Sequence, residues 1–298
     1  VDSKKRNILI NSLKLLLKLI VAGIALSYVL MNSDIEQIRG HILGGDMLSL
    51  IAAYITFNIV IILNGWRLNI YLADCGKEIS LKYAVMISYT GAFFNLFLPG
   101  GVGGDGYIAY YLNRKRDLKI IQAIRIMLSS RLNGLFALGM LLSVLVFFSD
   151  FMSLIPYAEY IFGAFLFLQF PLYFIMSRLV FREKLPLLLR VSVPSFITQT
   201  LAIISALLIF HSLGIEDNII NYICLFNLGI IVSIIPISPG GIGLREFVFF
   251  KGSELLGLNP EVGVAISLVF FAIYSLTSLT GVAAYLRLGK MKPEIEKN

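Results

Sequence analysis

One pentapeptide, present twice, constrains this chain more than any other feature. Pro99-Gly100-Gly101-Val102-Gly103 returns as Pro239-Gly240-Gly241-Ile242-Gly243, and each copy closes a long apolar run. A helix cannot continue through proline followed by two glycines, because the ring removes a backbone donor and glycine carries a high entropic cost. Helix breaks at corresponding places in two apolar segments are the pattern of interrupted membrane helices in an internally repeated, transporter-like fold. The copies differ in charge. Asp105 follows the first proline by six positions, and Arg245 follows the second by the same interval, with Glu246 next.

Composition fixes the solvent. Of 298 residues, 58% are hydrophobic and 14% charged, whereas soluble domains carry about 25% charged residues. The chain reads as an all-α polytopic membrane protein. Lys14 and Lys18 interrupt the first apolar stretch and no small-residue cleavage site follows Met31, so that stretch is expected to be a span and not a cleaved leader. Cys75 and Cys224 fit neither a disulfide framework nor a metal spacing, and with only His41 and His211 a histidine metal cluster is not expected. No cofactor is expected either. The net charge of +7 lies in basic residues flanking apolar spans, which excludes nucleic acid as the expected partner.

Six runs are long enough to cross a bilayer, near 12–31, 47–66, 126–149, 157–177, 191–211 and 262–287, with Trp66-Arg67 marking an interface at the end of the second. Two shorter runs, 83–98 and 219–237, lead into the glycine motifs. Loop charge decides how those two behave. Lys4, Lys5 and Arg6 place the amino terminus in the cytoplasm, and Asp34, Glu36 and Asp46 suit the outside. Had 83–98 crossed fully, Arg114, Lys115, Arg116 and Lys119 would lie outside and every later loop would be inverted. A re-entrant hairpin at 83–113 repairs this. A second hairpin at 219–257, entered from the opposite face, brings Arg287, Lys290, Lys292 and Lys297 inside. The expectation is a single integral-membrane domain, 1–298, of about six full spans and two oppositely oriented re-entrant hairpins. Its inverted repeats cover approximately 47–149 and 191–287, and both termini are cytoplasmic.

The breaks are then expected to meet in a polar cavity, since irregular backbone at membrane depth must be buried by protein or bathed by water. The candidate binding residues are Asn95, Gly100, Gly101, Gly103, Gly104, Asp105, Arg131, Gly240, Gly241, Gly243, Arg245 and Glu246. The glycines read as turn and packing residues or as exposed amides that cradle an anion. Neither motif ends in the Lys-Ser/Thr of a nucleotide loop. Arg131 sits inside a span, where an ionisable residue either faces a cavity or snorkels. Asp105 pairs with Arg131 or with Arg245 across the symmetry axis, Arg245 binds phosphate, or Asp105 or Glu246 carries a proton. A purely structural ion pair stands beside these. Asn95 satisfies freed backbone groups or binds substrate. Ser192, Ser195 and Gln199 on one span, and Ser275, Thr277 and Ser278 on the last, line a polar path or glue helices.

The segment from Asn95 to Asp105, Asn-Leu-Phe-Leu-Pro-Gly-Gly-Val-Gly-Gly-Asp, and the segment from Pro239 to Glu246, Pro-Gly-Gly-Ile-Gly-Leu-Arg-Glu, together resemble the paired signatures of one family. It is the lysylphosphatidylglycerol synthase transmembrane region, also described as flippase-like membrane proteins, and the likeness covers essentially the whole chain. Arg131 also falls where that family tends to carry an arginine. The resemblance implies lipid translocation, with an anionic phospholipid or a polyprenyl-phosphate type lipid as partner. It further implies a stand-alone member, because the eleven residues after Arg287 leave no room for an aminoacyl-transfer domain. Ser130 and Ala109 depart from the more polar residues expected of relatives. A homodimer, or association with a lipid-modifying enzyme, is compatible with this reading. Its rival is an integral-membrane enzyme acting on a lipid-linked sugar or phosphate, for which Asp34, Glu36 and Asp46 are the available metal ligands. A third reading is a non-transporting partner of a glycosyltransferase or synthase.

Overall fold

The computed structural model describes residues 20, 22–97, 103–234 and 240–290. Pro99, Gly100, Gly101 and Pro239 lie outside them, as do 12–19 and 21 of the first expected span. The described part of that span is α1 (Ala22–Met31). The chain continues through α2 (Ile35–Leu43), α3 (Met47–Asp74), α4 (Leu81–Phe97), α5 (Gly103–Arg116) and α6 (Ile120–Val146). Then follow α7 (Phe151–Leu154), α8 (Ala158–Leu179), α9 (Leu185–Ser212), α10 (Ile219–Ile234), α11 (Leu244–Leu255) and α12 (Pro260–Lys290). There are no strands among the described residues.

Helix length separates two kinds of element. Helices α3, α6, α8, α9 and α12 have 22 to 31 residues and are apolar enough to cross a membrane. At 1.5 Å per residue they reach about 33–47 Å, more than a hydrocarbon core of about 30 Å. By contrast the described residues of α4, α5, α10 and α11 number 17, 14, 16 and 12, or about 18–26 Å, less than that core. The long helices carry exposed Ile55, Phe167, Leu168, Phe170 and Leu276 on their outer faces. An apolar surface of that extent belongs in lipid.

The four short helices form two antiparallel hairpins. Asn95 of α4 meets Gly104 of α5, Gly91 meets Ile108, and Tyr83 meets Tyr111 near the open end. In the second hairpin Gly229 of α10 meets Arg245 and Phe249 of α11, and Leu225 meets Gly252. Close approach requires glycine at the first crossing, where a methyl group on Gly104 would stand 2.0 Å from the Gly91 carbonyl oxygen. The turn of the second hairpin runs through left-handed backbone at Gly240 (φ 59°), Gly241 (φ 79°) and Gly243 (φ 83°), which glycine adopts without penalty.

A shift of 140 positions, from Pro99 to Pro239, carries α3–α6 onto α9–α12 in order. The two halves run in opposite directions. Helices α3 and α9 lie antiparallel along their length, with Ser49 against His211, Ala53 against Ser205 and Arg67 against Ser195. One end of the bundle gathers Asp34, Asp46, Asp150 and Glu261, joined by hydrogen bonds from Asp34 to Glu261 and from Asp150 to Asn221. Asp34 and Asp46 cap α2 and α3 there, which accounts for carboxylates that sequence alone offered as metal ligands. The other end carries Lys82, Arg114, Lys115, Arg116, Arg190, Arg287 and Lys290. A cluster around Phe210, Phe226, Phe249 and Ile266 fills the acidic half, and one around Leu72, Tyr83, Leu112 and Leu118 fills the basic half.

Candidate functional site

The hairpin tips meet. A methyl group on Gly240 would lie 3.8 Å from the Leu96 carbonyl oxygen and 3.5 Å from the Phe271 ring. Between the two clusters, beside this meeting point, lies a cavity of about 410 Å³. Both halves of the repeat build it: Asn64 and Arg67 from α3, Asn95 from α4, Asp105 from α5, Arg131 and Gly134 from α6, Gln199 from α9, Ser233 from α10, Arg245 from α11 and Tyr274 from α12. Apolar Phe57, Leu138, Ala202 and Phe270 complete the wall. The result is an apolar chamber with a few convergent polar groups, the composition typical of ligand sites.

Asp105 is ion-paired to Arg131, not to Arg245. Asp105 stands in the first turn of α5, where the positive end of the helix dipole favours a carboxylate. Arg131 approaches from the middle of α6, and its side chain turns into the cavity instead of snorkelling to a headgroup layer. Both side chains remain about a quarter exposed, 25% and 22%.

Arg245 takes a different partner because its stem packs on Gly229, whose lack of a side chain lets α11 close on α10. That contact turns the guanidinium toward α12. Its Nε donates to Ser267 Oγ at 2.9 Å and its Nη2 to Glu246 Oε1 at 3.2 Å, while Phe270 and Phe271 lie within 5.1 and 5.6 Å of the charge. Glu246 is committed as well. It accepts from the Gly243 amide at 2.6 Å and from Ser267 Oγ at 2.8 Å, closing the N-terminus of α11. The pair is 3% and 2% exposed, a locked structural unit with one edge on the cavity.

Two amides of the breaks are used internally. Gly104 N–H donates to Asn95 Oδ1 at 2.8 Å, so Asn95 both satisfies the broken backbone and lines the cavity. Gly243 N–H is taken by Glu246. Gly241 packs on Ser233, where a methyl group would come within 2.4 Å of the hydroxyl. Gly103 opens α5 and Gly240 lines the chamber. Gly104, Gly241 and Gly243 therefore serve close packing and turn geometry in this structure. Gly100 and Gly101 are outside the described residues.

Sequence reading missed Arg67. Trp66-Arg67 reads as the end of a span, but α3 continues eight residues past Trp66 to Asp74. Arg67 thus lies inside the helix, on the face of Val60, Asn64 and Leu68, and lines the cavity. The signal was available: the apolar run does not stop at Arg67 but resumes through Leu72. Of the hydroxyls singled out on α9, Ser195 accepts from Arg67 and donates to Asn133, and Ser192 accepts from Asn133. Gln199 reaches the chamber itself. Thr277 accepts from Asn58, tying α12 to α3.

A family model described as the lysylphosphatidylglycerol synthase TM region matches residues 15–281 of the chain. A UPF0104 membrane protein of Methanothermobacter thermautotrophicus is 30% identical over 82 residues, which is 27% of this chain and 23% of that protein. The chain thus aligns with about a quarter of that relative's length.

Proposed function

The chain belongs to the lysylphosphatidylglycerol synthase transmembrane-region family, and from that membership and the shared cavity we propose that it is a lipid translocase. In this reading it is a transporter and not an enzyme. It moves an anionic phospholipid or isoprenoid-linked lipid between leaflets of the cytoplasmic membrane. The single observation that carries the reading is the meeting of two oppositely directed hairpin tips at one polar chamber lined by both repeats.

The physical steps follow from that arrangement. Both hairpins are re-entrant, one from each face, because their arms are too short to cross and their tips abut. The basic end faces the cytoplasm by the positive-inside rule, as do both termini. A headgroup enters the chamber while its chains stay in lipid beside the exposed apolar faces of the long helices. Inverted symmetry makes opening toward one leaflet the mirror of opening toward the other. The Asp105–Arg131 pair is an ion pair that remains accessible inside. It exchanges partners with a headgroup, whereas the Arg245–Glu246–Ser267 unit holds the second hairpin rigid.

Mass spectrometry of lipids retained by purified protein tests this. An anionic lipid enriched over its share of the membrane, and lost in the double variant Asp105→Asn, Arg131→Gln, supports the reading. Retained lipid that mirrors bulk composition in both proteins contradicts it.

A further inference from the structure

Three arginines line the chamber against two carboxylates, and only two of the three are ion-paired among the described residues. Arg245 faces Glu246 and Arg131 faces Asp105. Arg67 enters no ion pair among the described residues. Its Nη1 donates to Ser195 Oγ at 2.7 Å, a neutral partner already engaged with Asn133 and the Val191 carbonyl. Its Nε is shielded from solvent and has no hydrogen-bond partner among the described residues. The carboxylate charge that acts on Arg67 is that of Asp105, which is already ion-paired to Arg131, so its partial desolvation has only a shared Coulombic return. Snorkelling does not relieve it, because the Nη1 contact holds the group against α9 and α6 at the chamber wall.

We propose that Arg67 is the anion anchor of the chamber, and that its natural counter-ion is a singly charged phosphodiester of a lipid headgroup. The proposal rests on the lipid-translocase reading and deepens it. With the two acidic residues already matched to Arg131 and Arg245, one positive charge remains. A phosphodiester brings one negative charge, while a phosphomonoester brings about 1.5–2 at neutral pH. Arg67 lines the chamber, and its guanidinium carries directed donors suited to phosphate oxygens. Seating the anion there places it in the same chamber as the accessible Asp105–Arg131 pair, so a cationic group elsewhere on the headgroup finds Asp105.

The test is thermal unfolding and ligand titration of the full chain in detergent, for wild type, Arg67→Gln and Arg67→Lys. The probes are short-chain phosphatidylglycerol, short-chain phosphatidic acid and inorganic phosphate. The ligand-free Arg67→Gln protein is expected to melt higher than wild type, because one of two arginines sharing the Asp105 charge is gone. Its affinity for the diester is expected to fall at least about tenfold, with Arg67→Lys intermediate because it keeps charge but loses the fork. A lower ligand-free melting temperature combined with unchanged diester affinity overturns the proposal. Should Arg67→Gln not fold, unchanged affinity in Arg67→Lys overturns it instead. Wild type that binds phosphatidic acid as tightly as the diester refutes the charge matching, and equal binding of inorganic phosphate refutes a lipid source. Diester binding through Arg67 in a protein that moves no lipid would sink the translocase reading alone. Lipid movement and diester binding unaltered in Arg67→Gln would sink the anchor alone.

Discussion

Arg131 of α6 and Asp105 of α5 form an ion pair that closes one wall of the central chamber, yet about a quarter of each side chain stays open to it. A pair in that condition differs from the sealed Arg245–Glu246 pair a few residues from the equivalent break. One can exchange partners with a ligand. The other can only hold its hairpin together.

The two pairs should therefore respond differently to mutation. In a double-mutant cycle, Asp105→Asn and Arg131→Gln are expected to couple by about 0.5–3 kcal/mol, at the lower end because the pair is partly solvated. Thermal or denaturant unfolding of the four proteins reads this directly. Additive effects would mean the pair contributes nothing as a pair.

Glu246→Ala is expected to cost about 3–5 kcal/mol, since it strands a buried arginine and removes the cap of α11 together. A loss below about 1 kcal/mol, the scale of an exposed ion pair, would contradict the locked unit.

Gly104→Ala sets a methyl group against the Gly91 carbonyl oxygen at the crossing of the first hairpin. Overpacking of this kind costs about 1–3 kcal/mol. Gly106→Ala, two residues on in the same helix, meets nothing within 4 Å. It should be neutral or stabilising by up to about 1 kcal/mol through helix propensity. Unfolding curves of the two variants side by side check the crossing, and equal effects would refute it.

Glu183, in the loop between α8 and α9, accepts from Ser129 Oγ while its other oxygen is buried without a partner among the described residues. Burial pushes its carboxyl above the ordinary carboxylate value; Asp74 adds to the rise and the Ser129 bond opposes it. The folded state thus binds the proton more tightly than the unfolded chain does. That contribution is full below the ordinary carboxylate value and is lost as pH rises through the raised one. Glu183→Gln should melt a few degrees above wild type at pH 8, with the gain vanishing near pH 4. A gain independent of pH would contradict this assignment.

Much of the architecture was legible because the devices that build it are local. Proline and glycine stop helices by backbone chemistry alone, so both helical hairpins stood out. The choice of partner for Asp105 was not legible. It depends on Gly229, sixteen positions before Arg245, whose missing side chain steers that arginine to Ser267 and leaves Asp105 to Arg131. Arg67 was hidden for another reason. A tryptophan–arginine pair is a common interface marker, and only the packing of α3 on α9 shows that the helix runs on and turns the arginine inward. The Gly104 and Gly243 amides read as available for an anion from sequence, and in the structure Asn95 and Glu246 take them.

The most direct measurement is the movement of a fluorescent anionic phospholipid across the bilayer of proteoliposomes, followed by quenching of the outer leaflet. Wild-type protein is expected to expose the inner-leaflet label far faster than protein-free vesicles. The folded Asp105→Asn, Arg131→Gln double variant is expected to be slowed at least about tenfold, which corresponds to a barrier higher by about 1.4 kcal/mol. Wild-type vesicles that lose no more label than empty ones, across anionic phospholipid and isoprenoid-linked probes, would contradict the account.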